Sequence, residues 1–333
     1  MRDSVVDHPQ LNRNQGVLPR RPGNEKPPVS IITPFLNAEN FFQEAIESVL
    51  AQSYDPWELL LVDDGSSDRS TEIARSYAAQ YPARIRWLEH AGHDHRGAGA
   101  ARNLGLRWAA GQYLTFLDAD DVYLPGKLEK EVAVLEAQPE AAAVCGALQY
   151  WYSWTGERRD ARRDFIRRLG VRPETLHRPP HLLVHHLRAG GHKPGISSLM
   201  VRREAVAQVG AFEPETFRGL GEDQVFWARV SLHVPVFVMG ECLFRYRQHA
   251  DSTCAVAIRE GRDAAAWQSF LNWLETYLAD EGVTDPEVWK ALRACQRDFD
   301  YQVRFAALKQ LGRRLLPLRT RYWLRDRWTS WRL

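Results

Sequence analysis

Three carboxylates fall within four residues at Asp118-Ala119-Asp120-Asp121, directly after the apolar run YLTFL. Acids so close repel one another unless something cationic sits among them. Hard oxygen ligands of this kind suit Mg²⁺ or Mn²⁺, above all when substrate phosphates complete the coordination. The plain alternative for an isolated Asp-Ala-Asp is a turn and helix cap ahead of Pro125. A second acidic run, Asp63-Asp64-Gly65-Ser66-Ser67-Asp68, weakens that alternative because it too closes an apolar run. Asp-Gly-Ser is ordinary turn chemistry, and the same acids can accept hydrogen bonds from a nucleobase or ribose. Glu222-Asp223 follows Gly221 at the start of a helical pattern, where acids suit either the helix dipole or general-base work. His90, His93 and His95 with Asp94 have metal-ligand spacing, but a loose loop over the site is the expected role. His181, His185 and His186 are expected to line a helix or loop, with acceptor contact as the alternative. Trp151 and Trp154 are read either as a sugar-stacking platform or as packing.

Several familiar sites are absent. Gly97-Ala98-Gly99 is followed by Arg102 where a dinucleotide loop needs its third glycine. There is no GxxxxGK[ST], and the acids at 118–121 lack the threonine of a phosphatase-type DxDxT.

The surrounding elements read as alternating strand and helix. Residues 29–34, 58–63, 85–88 and 113–118 are expected strands, and the apolar run around 143–151 a fifth. Helices are expected after Asn37 (as cap), over 69–80, after GAGAARNLG and through Leu128, Val132 and Leu135. A repeat of roughly 28 residues builds an α/β domain with a mainly parallel sheet, whose ligands sit beyond the carboxyl ends of the strands. Both acidic runs lie at such ends. Later the pattern loosens. ERRDARRDFIRR reads as a charged surface helix, and the stretch from His177 to Gly195 as irregular. SSLMVRR suggests a strand, GEDQVFWARV a helix start and VPVFVM a strand continuing to Phe244–Gln248. From about residue 255 the chain turns helical.

The ordered set PVSIITPFLNAEN, VDDGSSDRST, GAARNLGL, FLDADD, GEDQVFWARV and YRQH, across residues 28–250, resembles the family 2 inverting glycosyltransferases of GT-A fold. That resemblance implies a metal-dependent transfer of one sugar from a nucleotide-diphosphate donor, UDP-sugar by family habit, to a glycan, lipid-linked or small-molecule hydroxyl. By the same resemblance Asp63 and Asp64 contact base and ribose, and Arg102 lies by the nucleotide. Asp118 and Asp120 are the DxD pair that engages Mn²⁺ or Mg²⁺, with Asp120 the direct ligand and Asp118 nearer the ribose or donor sugar. Asp223 is the general base and Glu222 the lesser candidate. His249 reaches metal or diphosphate, and Arg245 or Arg247 neutralises the diphosphate. The chain has no Q-x-x-R-W, so single rather than processive transfer is expected. The same resemblance divides the chain into an N-terminal arm (1–27), a nucleotide-sugar half (28–150), an acceptor half (151–254) and a C-terminal helical extension (255–333). A pyrophosphorylase would open with a Gly-rich loop where this chain has TPFLNAEN. A non-catalytic sugar-nucleotide or glycan-binding scaffold would not need Asp120 and Asp223.

Composition fits this reading: 44% hydrophobic and 26% charged, an ordinary globular balance. The four cysteines form no CxxC pair, so a reducing, cytoplasmic setting is expected. No secretory or membrane-spanning segment is visible. The net charge of +2 conceals a basic tail: residues 309–333 hold eight Lys/Arg against one acid, so the remainder is net negative. That excludes a nucleic-acid groove through the body. Tyr322, Trp323, Trp328 and Trp331 among the tail arginines suit an anionic membrane surface.

Overall fold

The computed structural model describes residues 26–189, 194–214, 216–217 and 220–315 of the 333. The N-terminal arm up to residue 25 and the tail from residue 316 lie outside the described residues. In chain order the elements begin with β1 (Val29–Phe35), α1 (Phe42–Leu50), β2 (Trp57–Asp63), α2 (Ser70–Gln80), β3 (Ile85–Glu89) and α3 (Ala98–Trp108). Next come β4 (Tyr113–Phe116), β5 (Val122–Tyr123), α4 (Lys127–Ala137), β6 (Ala143–Trp151), α5 (Arg158–Ala161), β7 (Phe165–Arg167), β8 (Thr175–His177) and α6 (His181–Arg188). The last are β9 (Met200–Arg202), α7 (Arg203–Val209), α8 (Glu222–His233), β10 (Val236–Arg247), α9 (Thr253–Glu260), α10 (Asp263–Asp280) and α11 (Pro286–Leu315).

The strands form one mixed sheet in the order β3-β2-β1-β4-β9-β6-β10-β5, with β7 on β6 and β8 on β10. The first four strands are parallel, as the alternating pattern predicts. β1 is buried along its whole length because helices cover both faces, which is why it reads as a continuous apolar run rather than an alternating one. One face packs on α1, α2 and α4 through residues such as Phe42, Ile46, Val49, Leu128 and Leu135. The other packs on α3 and α8 through Ala101, Leu104, Phe226, Trp227 and Val230. A third cluster seats α10 and α11 on α6 and α8, with Leu271, Leu274, Leu278, Val288 and Leu292 meeting Leu183, Leu187 and Val225. Among the described residues no helix is long and apolar enough to cross a membrane.

Four expectations change. Residues 143–151 do form a strand, but β9 enters antiparallel between β4 and β6, so the later sheet is not a continuation of the repeat. ERRDARRDFIRR gives only the four-residue α5 and then strand β7. Asp164 draws the chain back by accepting the backbone N–H groups of Tyr152 (2.7 Å) and Ser153 (3.0 Å), and tertiary pairing overrides helix propensity. The His-rich stretch contains a helix, α6, that buries Leu182, Leu183 and Leu187; its helical spacing is masked by flanking prolines and glycines. Asn37 does not cap α1, which starts five residues later at Phe42 with Phe41 as its N-cap. Its backbone is left-handed (φ 49°), and its Oδ1 accepts the N–H groups of Ser67 (2.8 Å) and Asp68 (3.3 Å). Asn37 therefore clasps the β1–α1 loop to the β2–α2 loop.

Candidate active site

The second-strand acids are held by their own loops. Asp63 closes β2 and is fully buried; its Oδ1 accepts the N–H of Ser66 (2.8 Å) and its Oδ2 the hydroxyl of Thr71 (2.5 Å). Asp64 accepts the N–H groups of Arg96 (2.8 Å) and Gly97 (2.9 Å), and His95 Nδ1 lies 2.8 Å from its Oδ2. The histidine loop is thus tied down rather than loose. His93 joins Glu89 and the carbonyl of Ser66, both at 2.8 Å, while His90 is buried 3.8 Å from Asp64, and burial lowers its pKa. Gly65 and Gly97, both at positive φ, let this loop and the β2 turn approach closely; a Cβ on Gly65 would meet the His93 carbonyl at 2.9 Å.

The Asp118 end is built differently. Arg102, on the first turns of α3 and 4% exposed, donates from Nη2 to Asp118 (2.6 Å) and from Nη1 to Glu222 (2.9 Å). Gly99 permits this, because a Cβ there would touch Glu222 at 3.3 Å. Burial works against the guanidinium charge, yet the two carboxylates outweigh it and raise the Arg102 pKa. Asp118, with 31% of its side chain exposed, has its pKa raised by lost hydration and by the Asp120 charge, against the pull of Arg102. Glu222 is pushed up by burial, and the Asp223 charge adds to the push on both Glu222 and Asp118. So one guanidinium bonds Asp118 and Glu222 and feels the Asp223 charge. Glu222 is buried in an ion pair, which fits positioning better than proton transfer.

Asp120 lies on the other side of the same turn, with Oδ2 3.0 Å from His249 Nε2. His249 packs its ring on Phe41 at 4.4 Å, and its buried Nδ1 has no hydrogen-bond partner among the described residues. Arg247 is 2% exposed and donates to the Asp120 carbonyl (2.7 Å) and to Glu44 (2.6 Å) while stacking on Trp151 at 4.4 Å. Its donors therefore hold the DxD turn from beneath. Arg245 sits farther along β10 against Trp151 and the Gln149 side chain (3.2 Å). Trp154 donates its indole N–H to the Gln248 carbonyl (2.9 Å) and meets Phe41 edge-on, so Trp151 and Trp154 both serve packing around the turn.

These residues fit a divalent cation. Asp120 and His249 place a carboxylate oxygen and an imidazole nitrogen side by side; the oxygen suits Mg²⁺ or Mn²⁺, and the imidazole is a general transition-metal ligand. Burial and the neighbouring Asp120 and Asp118 charges raise the Asp121 pKa well above its ordinary value. Among the described residues no three His, Cys, Asp or Glu side chains are grouped to hold an ion alone.

Sequence reasoning missed Ser197, Phe41 and Glu44. Ser197 is fully buried, donates to Asp121 Oδ2 (2.9 Å) and accepts the Asp118 N–H (3.2 Å), fixing the turn. A polar pair inside the apolar run ISSLMV was the available signal. Phe41 and Glu44 gave none, since both look like ordinary positions of an amphipathic helix.

An α/β sheet of this topology, with acidic residues at its strand ends, has the GT-A fold. The Glycosyl transferase family 2 model matches residues 30–209, more than half of the chain, and the chain belongs to that family. It is 30% identical over 226 residues to the putative teichuronic acid biosynthesis glycosyltransferase TuaG of Bacillus subtilis, covering 67% of this chain and 80% of that protein. It is 42% identical over 113 residues to the putative glycosyltransferase EpsE of the same organism, a match that spans 34% of this chain and only 40% of EpsE. Among solved structures it is similar to the mannosyltransferase PcManGT of Pyrobaculum calidifontis in complex with GDP-Man and Mn²⁺ (TM-score 0.60, 17% identity, 92% of this chain and 81% of that one). It is also similar to S. aureus TarS 1-349 in complex with UDP-GlcNAc (TM-score 0.52, 16% identity, 81% and 80%).

Proposed function

We propose that this glycosyltransferase moves a single sugar, with inversion, from a UDP-sugar to a hydroxyl of a glycan or lipid-linked acceptor, and that it needs Mn²⁺ or Mg²⁺. The observation that carries the reading is that one acidic turn holds both Asp120, paired with His249, and Asp118, paired with Arg102, which also bonds Glu222 and feels the Asp223 charge. In this reading residues 28–150 bind the donor, with Asp63 and Asp64 shaping the wall for base and ribose. Residues 151–254 receive the acceptor. Asp120 and His249 hold the cation, which supplies charge stabilisation to the departing diphosphate. Asp118 orients the donor through its bond to Arg102. Asp223 takes the acceptor proton, and in-line attack on the anomeric carbon inverts it. Arg247 acts by positioning the Asp120 turn, and Arg245 stands at its edge. The enzyme works in the cytoplasm.

Binding to the native state raises the melting temperature by mass action. UDP should raise it with Mn²⁺ and not with chelator, and Asp120→Asn should remove that metal-dependent rise. If no nucleoside diphosphate shifts the wild type with any divalent ion, the reading fails.

A further inference from the structure

The hairpin between β6 and β8 carries a surface that the transfer chemistry does not use. Residues 157–172 contain seven arginines and three acids. Two of those acids are occupied within the hairpin. Asp164 accepts from the backbone of Tyr152 and Ser153 and from the Ser153 hydroxyl, and Asp160 accepts from Thr155 (2.8 Å) and Arg163 (3.1 Å). Arg158, Arg159, Arg162, Arg168 and Arg172 are exposed, and none has an ion-pair partner among the described residues. Between them β7 exposes Phe165 (49%) and Ile166 (58%), the two most exposed large apolar side chains of the sheet. Phe165 is braced by stacking on Tyr150 at 4.6 Å, and Tyr150 in turn meets Tyr246. The apolar tip is therefore rigidly mounted. β7 pairs only with β6, so its outer edge is open.

We propose that this hairpin docks the enzyme on an anionic phospholipid bilayer, with Phe165 and Ile166 entering the interface and the arginines lying among the headgroups. A second copy of the chain is disfavoured because its own arginines would oppose one another along the open edge. A soluble polyanion would have no use for two exposed apolar side chains beside the cations, whereas a bilayer surface takes up both at once. The hairpin springs from Trp151, the residue on which Arg247 stacks beneath the Asp120 turn. Docking there brings the Trp151 end of β6, linked through Arg247 to the Asp120 turn, to the membrane, where a lipid-linked acceptor would present its hydroxyl. That last consequence rests on the proposed function; the docking does not.

The test is co-sedimentation of the full chain with vesicles of phosphatidylcholine alone or with phosphatidylglycerol. The wild type should bind only the anionic vesicles. Ile166→Ser, at an exposed site where folding is not at risk, should weaken partitioning about tenfold. The joint Gln replacement of Arg158, Arg159, Arg162 and Arg168 should weaken it at least about tenfold. Replacing Arg319, Arg321, Arg325 and Arg327 of the tail by Gln serves as the comparison. The proposal is overturned if both hairpin variants sediment like the wild type, whether the tail variant loses binding or not. It is equally overturned if the wild type binds phosphatidylcholine and anionic vesicles alike, if it binds neither, or if Ile166→Ser changes only the oligomeric state. Because the readout is sedimentation without donor or metal, failure of the transfer reading leaves this outcome untouched.

Discussion

Two acidic strand ends lie at the carboxyl edge of the parallel sheet, and they are built in opposite ways. At the end of β2 every carboxylate has its complement of donors: Asp63 is closed by Ser66 and Thr71, Asp64 by the 95–97 loop. At the end of β4 the acids outnumber the cations. Arg102 answers Asp118 and Glu222, while Asp120 has only a histidine and Asp121 only neutral donors. A satisfied carboxylate fixes a loop. An undercompensated one raises its neighbours' pKa values. The same residue type at equivalent places in a βαβ repeat is thus closed by donors in one case and left short of them in the other.

The comparison is sharpened most by Asp223→Asn, which should lower kcat by about 10²–10⁴-fold while leaving the UDP-induced thermal shift within error of wild type. Steady-state turnover and the shift assay check this together, and a lost shift would reassign Asp223 to binding. Arg102→Met should destabilise the fold by about 3–5 kcal/mol, because Asp118 and Glu222 would then lie together without a cation. Urea unfolding gives the value. If the loss is under about 1 kcal/mol, the view of Arg102 as the central counter-charge is broken. A direct contrast comes next. Asp63→Ala should cost about 1–3 kcal/mol by stranding the Ser66 N–H and the Thr71 hydroxyl, whereas Asp118→Asn should change stability by less than about 1 kcal/mol and act on activity instead. Equal losses in the two variants would erase the distinction between the strand ends.

The smallest effect concerns a carboxylate remote from the cleft. Glu131 on α4 is buried against Lys127 (2.5 Å), and burial pushes its pKa up to about 7 from 4.5 despite that partner. A folded-state pKa above the unfolded one means that the native state binds the extra proton. Its contribution to stability is therefore present at low pH and is lost as pH rises from 4.5 to about 7. Glu131→Gln should flatten that decline, as followed by urea midpoints at pH 5, 6 and 7. A slope unchanged from wild type would assign the proton uptake elsewhere.

The sequence by itself determined the parallel half of the sheet and the identity of the acids that meet at its carboxyl edge. Both follow from local information: apolar runs of strand length, turn residues after them and acids just beyond. The order in which later strands join the sheet was decided only in three dimensions, because β9 contributes three residues whose partners lie about sixty and ninety positions away. The same holds for the short β7, where hydrogen bonds from Asp164 outweigh a helical pattern of charges. Division of labour among the acids was equally invisible in one dimension. Whether a carboxylate is closed or open depends on where its donors come from: Asp63 is closed by its own loop through Ser66 and Thr71, whereas Asp64, Asp118 and Asp120 depend on Gly97, Arg102 and His249 farther along the chain. Residue type and spacing name the groups that can carry charge; only packing decides which of those charges is left to be answered by a substrate.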